Sequence, residues 1–559
     1  MGVPPRLAEQ MTVGEQHDWI RTFLSQRPVS RRSALKAAAG ALTVLGVGPV
    51  LAESGVPFTG SAAPPFLGRR LSFGSDPRRQ MAMAAELTHR PTGSVLVDLG
   101  TDRGYGRTMT AEVRHLISAV PQQDGSIRAA EQYFVHALAA DLEPGRAYHY
   151  RFRLPGGAAT RDAVFSTAPA ERAAFRFTAF GDQGVDPGNG VSAAFGNRYN
   201  NTDTRRSPHP AASLIRQVTA IRPAFHLLAG DICYPGADGE PVRNNHLFKP
   251  DSGFDNFDPL VWTRYFAGIE PSAASTPWMF ATGNHDVEAL YDDNRVDGAT
   301  HGYGGHAARL DLPTNGPRGC PSVYSFRYGN VGVLSLDSND LTFETRASAG
   351  YSSGAQVNWV RSTLHALRQN PQIDFIVVFF HHCAYSTGLG HGSDDGVRSR
   401  LAPLFDEFSV DLAVQAHNHC WERTDPIRAG RTTVAAPNGG TVRPDSDGTT
   451  YICAGSGGRS RTSWPDGVTD RYPGRVGADS AGPVTATVRM NGGVNVPETV
   501  PWSRARYLGY AMLAVEVVPG ALLTDSKMVI RTISDRGELL DTITLLRPAS
   551  IFSALGPLL

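Results

Sequence analysis

Gly230-Asp231-Ile232-Cys233-Tyr234 follows the apolar run 224–229, which reads as a buried strand, so Asp231 and Tyr234 leave one strand end together. A carboxylate there can bridge two cations with its two oxygens. A phenol three residues on reaches only one of them, and only if that cation is Lewis-acidic enough to hold phenolate. The pair describes an asymmetric two-metal site. A lone Gly-Asp is common in turns, and its weight here comes from its company. Asp182 follows the run 175–180; Asn284 and His285 follow 278–282 in Gly283-Asn284-His285-Asp286; His381-His382 follow 374–380; His417 and His419 follow 411–415. Singly, these residues read as turn caps, core histidines or an exposed strand face. Five consecutive strand ends carrying metal-binding side chains point to one shared site.

The elements that must position them form an alternating series. Beyond Phe175, apolar runs of strand length alternate with amphipathic helical stretches over 210–221, 355–368 and 398–408, with a hairpin over 323–327 and 331–336. This predicts an α/β domain over 172–548 with largely parallel strands, whose ligands bind beyond the carboxyl ends of the strands. The runs 510–518, 527–533 and 539–546 alternate apolar and polar residues and are expected to complete a second sheet packed against the first. Between them and the Gly-rich segment 450–458, residues 458–506 read as an irregular insertion rich in Gly, Pro and charge. His382 is expected to share a strand end with His381 while pointing to the opposite face. Upstream, 67–168 shows short apolar runs between polar turns, the spacing of a β-sandwich. Leu142 to Arg151 resembles the turn into a late strand of fibronectin type III domains, with Tyr148 placed as the tyrosine of a tyrosine corner.

Composition bounds the partners. Lys+Arg and Asp+Glu both number 53, which removes any global electrostatic reason for nucleic acid or an anionic membrane as partner. The five cysteines have no C-x-x-C spacing, so one disulfide is possible and a disulfide framework is not indicated. Within residues 1–63, Ser30-Arg31-Arg32-Ser33-Ala34-Leu35-Lys36 precedes the modestly apolar stretch 37–51, too short and too rich in Ala and Gly for a permanent span. It resembles a bacterial twin-arginine signal, departing from it at Ala34. The implied route is the twin-arginine export machinery to a periplasmic or extracellular location, with cleavage after Ala52 or Ala63 and no membrane span in the mature chain.

The order Asp182-x-Gly184, Gly230-Asp231-x-x-Tyr234, Gly283-Asn284-His285-Asp286, Val378-x-x-His381 and His417-x-His419 resembles the purple acid phosphatase branch of the calcineurin-like metallophosphoesterases. Related phosphoesterases usually carry Asp-x-His in the first motif. Here Gly184 stands in place of that histidine and Tyr234 supplies an anionic oxygen instead, a hard ligand suited to ferric iron. Ala416 departs from the family's usual Gly. The resemblance implies a metallophosphoesterase β-sandwich flanked by helices, preceded by the small fibronectin type III-like sandwich. It also implies a first metal on Asp182, Asp231, Tyr234 and His419 and a second on Asp231, Asn284, His381 and His417, roughly 3.5–4 Å apart. The implied cofactors are Fe3+ and a divalent ion, Fe2+, Zn2+ or Mn2+. The implied reaction is hydrolysis of small-molecule phosphate monoesters by attack of metal-bound hydroxide, with His285 contacting the phosphate or assisting the leaving group and His391 as leaving-group acid. A phosphodiesterase or alkaline phosphatase on the same scaffold stays open, as does a non-catalytic extracellular binding protein. The oligomeric state is open as well.

Overall fold

The computed structural model describes residues 65–121, 127–155, 157–185, 209–235, 259–287, 303–344, 348–459, 462, 464, 484–521 and 524–548. The expected export signal and its cleavage positions lie outside them. Eight strands, from Phe66–Phe73 to Ala163–Ser166, form two four-stranded antiparallel sheets. In Ala147–Arg153 every second residue is buried, the period of a strand with one face inward. Met83 and Val135 of one sheet and Val97, Tyr150 and Phe152 of the other lie in one buried cluster. The Tyr148 hydroxyl accepts the Glu143 backbone N–H at 2.9 Å, the bond by which a tyrosine corner fixes its loop.

Two seven-stranded sheets follow. One runs Trp278–Ala281, His226–Ala229, Phe175–Phe180, Ala511–Val518, Ser526–Ser534, Leu539–Arg547, Gly440–Val442; its first three strands are parallel. The other runs Tyr324–Tyr328, Val331–Ser335, Phe375–Phe379, Leu412–Gln415, Thr450–Ala454, Trp421–Thr424, Ser503–Tyr507, with a parallel centre. Phe177, Leu227 and Leu513 of the first meet Val333, Val377 and Ile452 of the second in a common core. Their outer faces are covered by helices: Pro210–Ile221 and Leu260–Ala273 on the first sheet, Ala355–Gln369 and Asp395–Glu407 on the second.

Three expectations change. The five site-bearing strands divide three to two between the sheets. The three C-terminal strands do not complete a second sheet: Ala511–Val518 pairs antiparallel with Phe175–Phe180 and extends the first sheet. The short site-bearing runs are apolar throughout because core covers one face and helix the other, so they hold no period that separates the sheets. Within the stretch read as irregular, Val484–Met490 and Val494–Val500 form a hairpin. Its first strand pairs with Ser393–Asp394, and Ser503–Tyr507 joins the second sheet. Phe73 of the sandwich packs on Phe225, Phe326 and Tyr328, and the Tyr150 hydroxyl donates to the Ala274 carbonyl at 2.9 Å, so sandwich and sheets share one core. No helix among the described residues is long and apolar enough to cross a membrane. All five cysteines are buried, and none is in a disulfide.

Candidate metal centre

The loops after the five strands are sewn together. The Asp182 N–H donates to the Gly230 carbonyl at 3.1 Å and the Gly184 N–H to that of Ile232 at 3.1 Å. Asp286 accepts the N–H groups of Ile232 at 2.9 Å and Gly283 at 2.8 Å, tying the second loop to the third. Asp182 Oδ2 accepts the His417 N–H at 2.7 Å, joining the two sheets across the site. Asp182, Asp231, Tyr234 and His417 have φ of 55°, 51°, 56° and 68°, the left-handed region that side-chain-bearing residues avoid. A methyl at Gly283 would stand 2.1 Å from Asp231 Oδ1, which explains the glycine. A methyl at Gly181 would meet the Ala416 methyl at 2.5 Å, so the glycine opposite is what admits alanine at 416.

Two of the donor sets that result share Asp231. Ligand atoms of Asp182, Asp231 and His419 lie within 4.8 Å of one another, as do those of Asp231, His381 and His417. The Tyr234 hydroxyl belongs with the first set, 2.8 Å from Asp182 Oδ1 and 3.1 Å from His419 Nε2. Asn284 belongs with the second, its Oδ1 3.0 Å from His381 Nε2. One set is thus rich in anionic oxygen and the other in neutral donors, an arrangement for a harder ion beside a softer one.

The donors fit cations. Asp231 Oδ2 is buried and completes no hydrogen bond, while its Oδ1 accepts the His285 N–H at 2.9 Å. His381 donates its Nδ1–H to the Ala229 carbonyl at 3.0 Å, and His417 donates Nε2–H to Glu344 at 3.0 Å. Their remaining nitrogens, His381 Nε2 and His417 Nδ1, face each other at 3.1 Å. Two lone pairs at that distance repel unless a proton or a metal ion lies between them. In the protein alone a proton serves. Burial opposes charge on His381, but Asp231 and Asp182 outweigh it and raise the ring to about 10. Burial, with His391, lowers His417 to about 4 and keeps it neutral. Burial, then Asp182 and Asp231, hold the Tyr234 phenol well above its ordinary value, so only a strong cation among those carboxylates would draw phenolate there. The Arg459 guanidinium lies 4.2 Å over the Tyr234 ring.

His285 stands at the edge, half-buried, its Nε2 3.9 Å from Asp231 Oδ2 and its ring 4.5 Å from that of Tyr234. His391 lies beside the second donor set, its ring 3.9 Å from that of His417. His382 does not face away: its ring is 4.4 Å from that of His417 and 5.2 Å from that of His381. The strand ends at Phe379, so its alternation no longer governs position 382, and the Ser338 hydroxyl holds the ring at 2.8 Å. Glu344 is missing from the sequence reading. It follows no strand, and no spacing marks it. Cys383, Cys420 and Cys453 pack together in a small buried cluster beneath the histidine loops.

Comparison with known proteins finds similar chains and folds. The profile described as Calcineurin-like phosphoesterase matches residues 175–421. The uncharacterized protein Rv2577 of Mycobacterium tuberculosis is 30% identical over 474 residues, covering 82% of each chain. Probable inactive purple acid phosphatase 1 of Arabidopsis thaliana is 24% identical over 60% of this chain and 50% of its own. Among solved structures, purple acid phosphatase PPD1 from yellow lupin seeds superposes with a TM-score of 0.59 at 16% identity, over 88% of this chain and 76% of its own.

Proposed function

We propose that this chain, which belongs to the calcineurin-like phosphoesterase family on its purple acid phosphatase branch, is an exported hydrolase that cleaves phosphate monoesters at a centre of two metal ions. The observation that carries the reading is the pair of side-chain groups that share Asp231, with the Tyr234 hydroxyl beside one and Asn284 Oδ1 beside the other. Asp182, Asp231, Tyr234 and His419 would hold ferric iron; Asp231, Asn284, His381 and His417 would hold Fe2+, Zn2+ or Mn2+. When bound, such ions activate water and neutralise charge on the phosphoryl oxygens.

The protein's own groups do the rest. His285, at the open edge, contacts the phosphate. His391 donates Nδ1–H to Glu344, 2.6 Å away; burial opposes charge on the ring, but the Glu344 carboxylate outweighs it and favours the imidazolium, whose Nε2–H is the proton donor to the leaving oxygen. Export rests on the arginine pair 31–32 and the apolar stretch 37–51. The test is hydrolysis of an aryl phosphate against a bis-aryl phosphate by the metal-loaded protein across pH. Faster monoester cleavage is expected. Faster diester cleavage would make the chain a phosphodiesterase, and a fully loaded protein that cleaves neither would make it a binding protein.

A further inference from the structure

Glu344 sits where three segments of the chain meet. Thr342 Oγ1 and the Phe343 N–H donate to Asp394 at 2.6 and 3.0 Å, which fixes the backbone just before it. Its side chain is only 13% exposed. One oxygen, Oε1, is 2.6 Å from His391 Nδ1; the other, Oε2, is 3.0 Å from His417 Nε2. Arg489, on the hairpin strand that pairs with Ser393–Asp394, brings a guanidinium nitrogen to 3.4 Å from Oε1. A single carboxylate therefore joins a donor of the second metal set to the histidine at the rim, and the hairpin contributes its counter-charge.

We propose that Glu344 is the positioning residue of the second metal site alone. The inference rests on the two-metal reading above. By accepting His417 Nε2–H it fixes that ring's tautomer and directs Nδ1 at His381 Nε2, and by accepting His391 Nδ1–H it fixes the second ring at the same time. A carboxylate oriented this way behind a ligating histidine raises the ligand's basicity, and losing it lowers metal affinity or activity typically 10–100-fold. Glutamine has one acceptor oxygen and can serve only one of the two imidazoles. The partners of the Glu344 carboxylate are His391, His417 and Arg489, none of them a donor of the first set.

The experiment uses the full chain loaded with ferric iron and zinc, as wild type, Glu344→Gln, Glu344→Asp and His391→Ala. Each is dialysed against graded chelator, with both metals counted and the visible spectrum recorded. Glu344→Gln is expected to release zinc at about 10–100-fold lower chelator while iron and its absorption band stay. Glu344→Asp, which keeps two acceptor oxygens, recovers part of the retention. His391→Ala keeps zinc, showing that the effect runs through His417. Equal zinc retention in wild type and Glu344→Gln overturns the proposal. So does parallel loss of both metals from a folded variant, since the carboxylate would then support the whole cage. Failure of the wild type to hydrolyse any phosphoester would sink the hydrolase reading and leave the zinc comparison decisive for Glu344.

Discussion

Four donors of the centre lie in the left-handed backbone region. Each such residue costs about 1–3 kcal/mol and persists only where its surroundings over-determine it. Here the surroundings are the cross-loop bonds to Gly230, Ile232 and Asp182. The backbone turns sharply at each strand end, and the side chain that follows is aimed at a common point. His285 is different in kind, because no donor set needs it: its side chain lies 3.9 Å from Asp231 Oδ2 at the half-buried edge. His285→Ala should retain both metals and lower turnover about 100-fold, the low end for a lost proton-transfer or phosphate contact. Metal analysis beside steady-state kinetics checks this; loss of metal would make His285 a structural support. At this scale the sequence was readable where residue type announces chemistry. Asp231 with Tyr234 and His417 with His419 announce themselves, whereas Glu344 does not, because a glutamate in a loop between elements looks like any solvated surface residue until His391 and His417 are seen against it.

At the scale of elements, strands deliver the donors and loops are locked to one another. Asp286 has the clearest part in this, accepting one N–H from its own loop and one from the Gly230–Tyr234 loop. Asp286→Ala would leave both buried donors without an acceptor and is expected to cost about 2–4 kcal/mol. Denaturant unfolding of the metal-free protein measures that directly, and a change within about 0.5 kcal/mol would show that water replaces the carboxylate. Element positions were legible from apolar runs and periodicity: the strand Phe175–Phe180 and the helix Pro210–Ile221 fall where the sequence pattern puts them. The partition into two sheets was not. A run such as Phe375–Phe379, buried on both faces, carries no information about which neighbour it pairs with. The hairpin at 484–500 was hidden for the opposite reason. Its second strand is largely exposed and contains Pro497, so it lacks the apolar alternation that marks a strand.

For the whole molecule, the sandwich is bound into the catalytic sheets by charge as well as by the aromatic contacts of Phe73. Arg114 reaches Asp311 at 3.0 Å, and His136 lies 3.5 Å away on the same carboxylate. Burial pushes the Asp311 carboxyl up, but His136 and Arg114 outweigh it and hold it at about 2. A carboxyl lowered on folding stabilises above its unfolded pKa near 4 and loses that contribution as pH falls through about 4 to about 2. The loss should be about 2 kcal/mol. Asp311→Asn should flatten that part of the acid unfolding profile relative to wild type, and identical profiles would remove the ion pair from the account. At the centre, two ions are predicted to share the Asp231 carboxylate. Elemental analysis of the purified chain and of Asp231→Asn tests it most directly. Two ions per wild-type chain and the loss of both in the variant are predicted; a variant that keeps one ion tightly bound would contradict the shared bridge.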